Sequence, residues 1–140
     1  MKIEKVSKHI ISWLKEYAEN AKVNGFVVGV SGGIDSAVTS TLCASTGFPT
    51  LCVEMPIHQA ESQVSRAKEH IAQLKERFDN VSDVKVNVEE GSVTFNYINE
   101  ESLLHVKETL KSIGYPEVGE NNPLGTKAKS YVSCAIGKMS

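Results

Sequence analysis

The stretch that most constrains the fold is an unbroken apolar run, Phe26-Val27-Val28-Gly29-Val30, leading directly into Ser31-Gly32-Gly33-Ile34-Asp35-Ser36. A β-prone run without polar alternation predicts a strand buried on both faces, as in a parallel sheet. Asp35 through Ala44 then read as a helix ending near Gly47, and Pro49 precedes a second β-prone run, Thr50–Met55, stopped by Pro56. Strand, helix and strand within about thirty residues make a βαβ unit. Gly25–Val30 and Thr50–Met55 are therefore expected to be adjacent and parallel, with the 31–36 loop at their carboxyl ends.

The flanking segments extend the pattern. Ile3, Val6, Ile10, Leu14 and Ala18 recur at helical spacing, with Trp13 and Tyr17 broadening the stripe. This predicts an amphipathic helix closed by Asn24-Gly25. From about Ala60 to Arg77, Val64, Ala67, Ile71 and Leu74 share a helix face. Val84 to Val88 alternates valine with polar residues, which predicts a third strand that is less buried or at an edge. Leu103, Val106, Leu110 and Ile113 mark a further helix, ended by Gly114 and Pro116. Alternating β and α elements predict an α/β fold, an open parallel sheet sandwiched by helices and Rossmann-like. Gly119, Asn121, Asn122, Pro123 and Gly125 break any period. The chain thus divides into an α/β part, 1–113, and an irregular tail, 114–140. Three strands are few for such a sheet, which reads as incomplete at its C-terminal end.

Composition acts as a filter on function. With 41% hydrophobic residues and a net charge of -2, disorder and a strongly basic nucleic-acid surface are both disfavoured. No apolar run approaches the roughly 18–20 residues needed to span a membrane. The N-terminal twenty residues carry too many charges for a secretory signal. Cys43, Cys52 and Cys134 form no CxxC pair and read as free thiols of a reducing, cytoplasmic compartment, the first two as small core residues. His9, His70 and His105 make no zinc set and read as structural, as Trp13 reads as packing.

The chemistry concentrates in the loop. In an open α/β sheet, ligands bind beyond the carboxyl ends of the strands. Gly29, Val30, Ser31, Gly32, Gly33, Ile34, Asp35 and Ser36 occupy that place and open a helix. Its free N–H groups and dipole suit a phosphate or pyrophosphate. The loop has neither the Gly-Lys-Ser/Thr ending of a Walker A sequence nor GxGxxG spacing. Asp35 repels phosphate oxygens unless a divalent cation bridges them, a role that suits Mg²⁺. The alternative is that Asp35 caps the helix and Ser31-Gly32-Gly33 is a tight turn. His58 and Gln59, after the second strand, read equally as nucleotide contacts or as turn residues. Arg66 on the next helix either reaches a phosphate or nucleobase or faces solvent.

Ser31–Ser36, SGGIDS, resembles the pyrophosphate loop of the N-type ATP pyrophosphatases, which include the NAD, GMP, argininosuccinate and asparagine synthetases. HIISWLKEYAENA, GFVVGVSGGIDSAVTSTLC and PTLCVEMPIHQ, with Gln63–Ala67 and His70-Ile71, are similar to the start of a bacterial-type NAD synthetase. The resemblance runs to about residue 113, and Thr126–Lys129 is compared with a basic stretch of that family. It implies an adenine nucleotide alpha hydrolase-like fold and ATP-dependent amidation of nicotinic acid adenine dinucleotide by ammonia, releasing AMP and pyrophosphate. By resemblance the loop holds the pyrophosphate of ATP, Asp35 ligates Mg²⁺, Met55 lies beside the adenosine, and the protein is a homodimer. The family's second metal carboxylate has no match here, so the expectation for the chain alone is an incomplete catalyst. Two alternatives stay open: another N-type adenylating enzyme, of the tRNA-thiolating or GMP-forming kind, and a non-catalytic ATP-binding or dimerisation fragment.

Overall fold

The computed structural model describes residues 2–117. The expected tail therefore lies outside the described residues from 118 onward, together with Thr126–Lys129 and Cys134. Seven elements form a first unit that ends at Phe95: α1 (Ile3–Ala21), β1 (Phe26–Gly29), α2 (Ile34–Ser45), β2 (Thr50–Glu54), α3 (Glu61–Arg77), β3 (Val81–Asn87) and β4 (Ser92–Phe95). A second unit begins at Asn96 and contains α4 (Glu100–Ser112).

Helix α1 closes slightly before Asn24-Gly25. Lys22 takes the left-handed conformation (φ 54°), and Val23 N–H returns to the Ala18 carbonyl at 3.1 Å. These bonds satisfy carbonyls that a helix end otherwise leaves open. In the second unit, Asn99 Oδ1 accepts from Ser102 N–H at 2.8 Å and caps α4, while Lys107 pairs with Glu117 at 2.7 Å.

The sheet order is β1-β2-β3-β4. β1 and β2 run parallel, with Val28 opposite Cys52, and β2 and β3 run parallel, with Cys52 opposite Asp83. The parallel βαβ expectation holds, but the sheet is not wholly parallel. β4, absent from the sequence expectation, pairs antiparallel to β3 with Val86 opposite Val93, so β3 is interior and β4 takes the edge. The connection is a four-residue turn. Asn87 Oδ1 accepts from Glu89 N–H (3.1 Å) and Glu90 N–H (3.2 Å), and Gly91 supplies a φ of +61°. β3 also starts at Val81 rather than Val84. Asn80 fixes that start by donating from Nδ2 to the Ala44 carbonyl at 2.9 Å and the Phe48 carbonyl at 2.7 Å.

Strand residues alternate between two faces. Register therefore puts Val28, Cys52 and Val81 on the face where α2 and α3 pack. There Val30, Ala44, Cys52, Ala67, Ile71, Leu74 and Val81 form the core, with Phe78 against it. Val27, Leu51, Val53, Val84, Val86, Val93 and Phe95 fall on the other face. The expectation that β1 is buried on both faces is overturned, because Val27 on that second face is 71% exposed. Apolar continuity was legible, but which face α2 and α3 cover was not.

Candidate functional site

Strand β1 delivers the 31–36 loop to the sheet's carboxyl edge. Val30 is buried, and its N–H donates to the Val53 carbonyl at 3.0 Å, which fixes the loop's entry. Gly32 then takes φ +81°, and a Cβ there would stand 2.1 Å from the Gln63 carbonyl oxygen. Only glycine fits, since the loop lies directly against the first turn of α3. Ser36 Oγ donates to the Gly33 carbonyl (3.0 Å) and accepts from Ser31 N–H (3.2 Å). With that hydrogen committed, Ser31 Oγ donates across 3.2 Å to Ser36 Oγ and accepts from Gly33 N–H at 3.3 Å.

The first backbone bond of α2 runs from Ala37 N–H to the Gly33 carbonyl at 3.2 Å. The N–H groups of Ile34, Asp35 and Ser36 are left without protein acceptors among the described residues, as expected of a helix start. Gly33 is the N-cap, with no side-chain cap bond, and Asp35 follows inside the first turn. The capping alternative for Asp35 therefore does not hold. Its exposed carboxylate has no hydrogen bond or ion pair among the described residues.

Beyond that contact an open cleft of about 310 Å³ is lined by Val30, Gly32, Gly33, Ile34, Ala37, Arg66 and His70. Arg66 and His70 stand one turn apart on α3. His70 Nε2 lies 2.9 Å from Ser40 Oγ, and Ser40 is completely buried. Burial pushes the His70 imidazole below the usual histidine pKa; the Ala37 carbonyl opposes this and Arg77 adds to it. Sequence reasoning left His70 as merely structural and did not single out Ser40. The available signal was their spacing, Ser40 four residues after Ser36 and His70 four after Arg66.

The other expected residues lie elsewhere. His58, in the left-handed region at φ 50°, and Gln59 line a second, polar cleft of about 600 Å³ with Glu54, Lys68, Lys85 and Asn87. Glu54 is only 7% exposed and faces Lys68 Nζ at 3.7 Å. Met55 is half exposed at the end of β2 and lines neither cleft. The loop and Arg66 are thus brought together, and His58 and Gln59 are not. No group of three or more His, Cys, Asp or Glu side chains converges among the described residues. Asp35 alone suits a Mg²⁺ ion that takes its remaining ligands from phosphate oxygens and water.

Residues 6–112 match the family described as NAD synthase. The chain belongs to the NAD synthase family. The NH(3)-dependent NAD(+) synthetase of Finegoldia magna is 43% identical over 58 residues, covering 41% of this chain and 24% of that protein. Its counterpart from Malacoplasma penetrans is 32% identical over 114 residues, covering 78% of this chain and 44% of that protein. The chain therefore spans less than half the length of either. Among solved structures, NMN synthetase from Francisella tularensis superposes with a TM-score of 0.53 at 26% identity, covering 78% of this chain and 41% of that one. The NH3-dependent NAD synthetase from Campylobacter jejuni, at 22% identity and a TM-score of 0.50, covers 99% of this chain and 50% of that one, a likeness of fold.

Proposed function

We propose that this NAD synthase family chain carries the ATP-binding part of an amidation of nicotinic acid adenine dinucleotide by ammonia. In that reaction the nicotinate carboxylate attacks the α-phosphorus of ATP and pyrophosphate leaves. Ammonia then attacks the adenylated acyl carbon, loses a proton, and AMP departs to leave the amide of NAD. The chain's part is to hold and orient the pyrophosphate. The N–H groups of Ile34, Asp35 and Ser36 supply donors where negative charge builds up, and the Ser31 hydroxyl holds the loop through Ser36 and Gly33. Gly29, Val30, Gly32 and Gly33 let the backbone approach the phosphates closely. Arg66 faces the same cleft and adds a cation. Asp35 would hold Mg²⁺, which when bound neutralises the phosphate charge. His58, Gln59 and Met55 are assigned to the nucleoside side. Homodimerisation and a cytoplasmic location belong to the same proposal, drawn from the family resemblance.

One observation carries the reading: the first turn of α2, inside the matched residues 6–112, combines the Asp35 carboxylate with three N–H groups, all without partners among the described residues. Calorimetric titration of the chain with Mg-ATP, then with nicotinic acid adenine dinucleotide, tests it. Mg-ATP is expected to bind, with no measurable NAD formed in a coupled dehydrogenase assay. Turnover near about 1 per second would show instead that the chain completes the catalytic site. Absence of Mg-ATP binding would remove the reading. The Francisella likeness favours a second acceptor, the nicotinic acid mononucleotide, whose amidation to NMN needs its own assay because an NAD-coupled dehydrogenase does not register NMN.

A further inference from the structure

Three residues of α3 meet the loop in sequence: Gln63, whose carbonyl excludes any side chain at position 32, then Arg66, then His70. The last of these is linked back to the loop by hydrogen bonds. Ser40 Oγ lies 2.7 Å from the Ser36 carbonyl and 3.1 Å from the Ala37 carbonyl, as well as 2.9 Å from His70 Nε2. Carbonyls only accept, so the single hydroxyl hydrogen is directed to them and His70 must donate to Ser40. The imidazole is therefore the Nε2–H tautomer. Ser36, where this chain of bonds ends, is also the residue whose own hydroxyl ties Ser31 to Gly33.

We propose that His70 is a positioning residue for the anion loop. Through Ser40 its Nε2–H holds the first turn of α2, and with it the N–H groups of Ile34, Asp35 and Ser36, in register with Ser31–Gly33. The consequence for ligand affinity rests on the pyrophosphate reading; the consequence for loop geometry does not. Gln63 and His70 brace the loop from opposite ends of one helical face, so α3 acts as its template.

The test uses the full 140-residue chain. His70→Phe keeps an aromatic ring without a donor, and His70→Gln restores an amide N–H near the place of Nε2. Without ligand, nitrogen-15 NMR spectra report the imidazole tautomer and the amide signals of Ser31, Gly33 and Ser36. With ligand, calorimetry gives Kd for Mg-ATP and for inorganic pyrophosphate. The Phe variant is expected to move the loop signals and weaken both ligands by about tenfold, and the Gln variant to restore affinity to within about threefold. If His70→Phe does not fold, Ser40→Ala, which removes one oxygen, takes its place with the same expected result. Unmoved loop signals, an Nδ1–H tautomer, or wild-type affinity in the donor-free variant would overturn the proposal. If the wild-type chain binds neither ligand, the pyrophosphate reading fails, and the loop signals alone decide the role of His70.

Discussion

Asp35 separates charge from structure at a single side chain. It is exposed and does not cap α2, so Asp35→Asn should change thermal stability by no more than about 0.5 kcal/mol. Loss of its charge should lower Mg-dependent ATP affinity at least about tenfold, or roughly 1.4 kcal/mol, by calorimetry. Unchanged affinity would mean that Asp35 holds no ion. The two loop glycines make a second contrast. A methyl at Gly32 meets backbone oxygen at 2.1 Å in a left-handed residue, whereas a methyl at Gly33 only approaches Ser31 Oγ at 3.4 Å. Gly32→Ala should cost about 1–3 kcal/mol by thermal unfolding, and Gly33→Ala much less. His70 adds a pH dependence. Burial keeps its folded-state pKa below the ordinary 6.5, so the unfolded chain binds more protons in the window below that value. Stability should therefore fall as pH drops through that window, and His70→Gln should flatten this part of the profile in thermal melts. At this scale the loop sequence was readable because SGGIDS sits between a strand and a helix. The Ser40–His70 bond was not, because it joins residues thirty positions apart whose meeting depends on how α2 and α3 pack.

The elements show where local pattern succeeds and stops. The βαβ unit followed from its apolar runs, and α3 from its 3.6-residue period. β4 was missed because Ser92–Phe95 is a short run of mixed polarity. Its signal was the turn before it, in which Asn87 and Gly91 bracket a valine and two glutamates. Strand β1 yields a test of the two faces. Val28 is buried and Val27 is not, although they are chemically identical neighbours. Val28→Ala should cost about 2 kcal/mol, through lost burial and the cavity left behind. Val27→Ala should cost less than about 0.5 kcal/mol. Denaturant midpoints of the two variants would decide this, and equal losses would show that the second face is covered in solution.

For the whole molecule, the second sheet face matters most. The apolar runs of β1 and β2 and the alternation of β3 marked Val27, Leu51, Val53, Val84 and Val86 on it, but left out β4 and carried no information on what packs over that face. Val27 and Val93 lie at its two ends, 71% and 55% exposed. Exposed apolar surface of this kind drives association, so light scattering after size exclusion should give a mass above the 15.2 kDa of one chain. A monodisperse monomer at micromolar concentration would contradict that expectation. The position of β1 has a different implication. Among the described residues it has a strand partner on one side only, so the 31–36 loop stands at the border of the described sheet and not in a crevice walled by strands on both sides. Anything that docks beside β1 raises the missing wall. If docking there raises the loop's affinity for its ligand, the ligand must strengthen docking by the same factor. The first half of such a crevice would behave as a coincidence detector, grasping its anion firmly only when a neighbour is present.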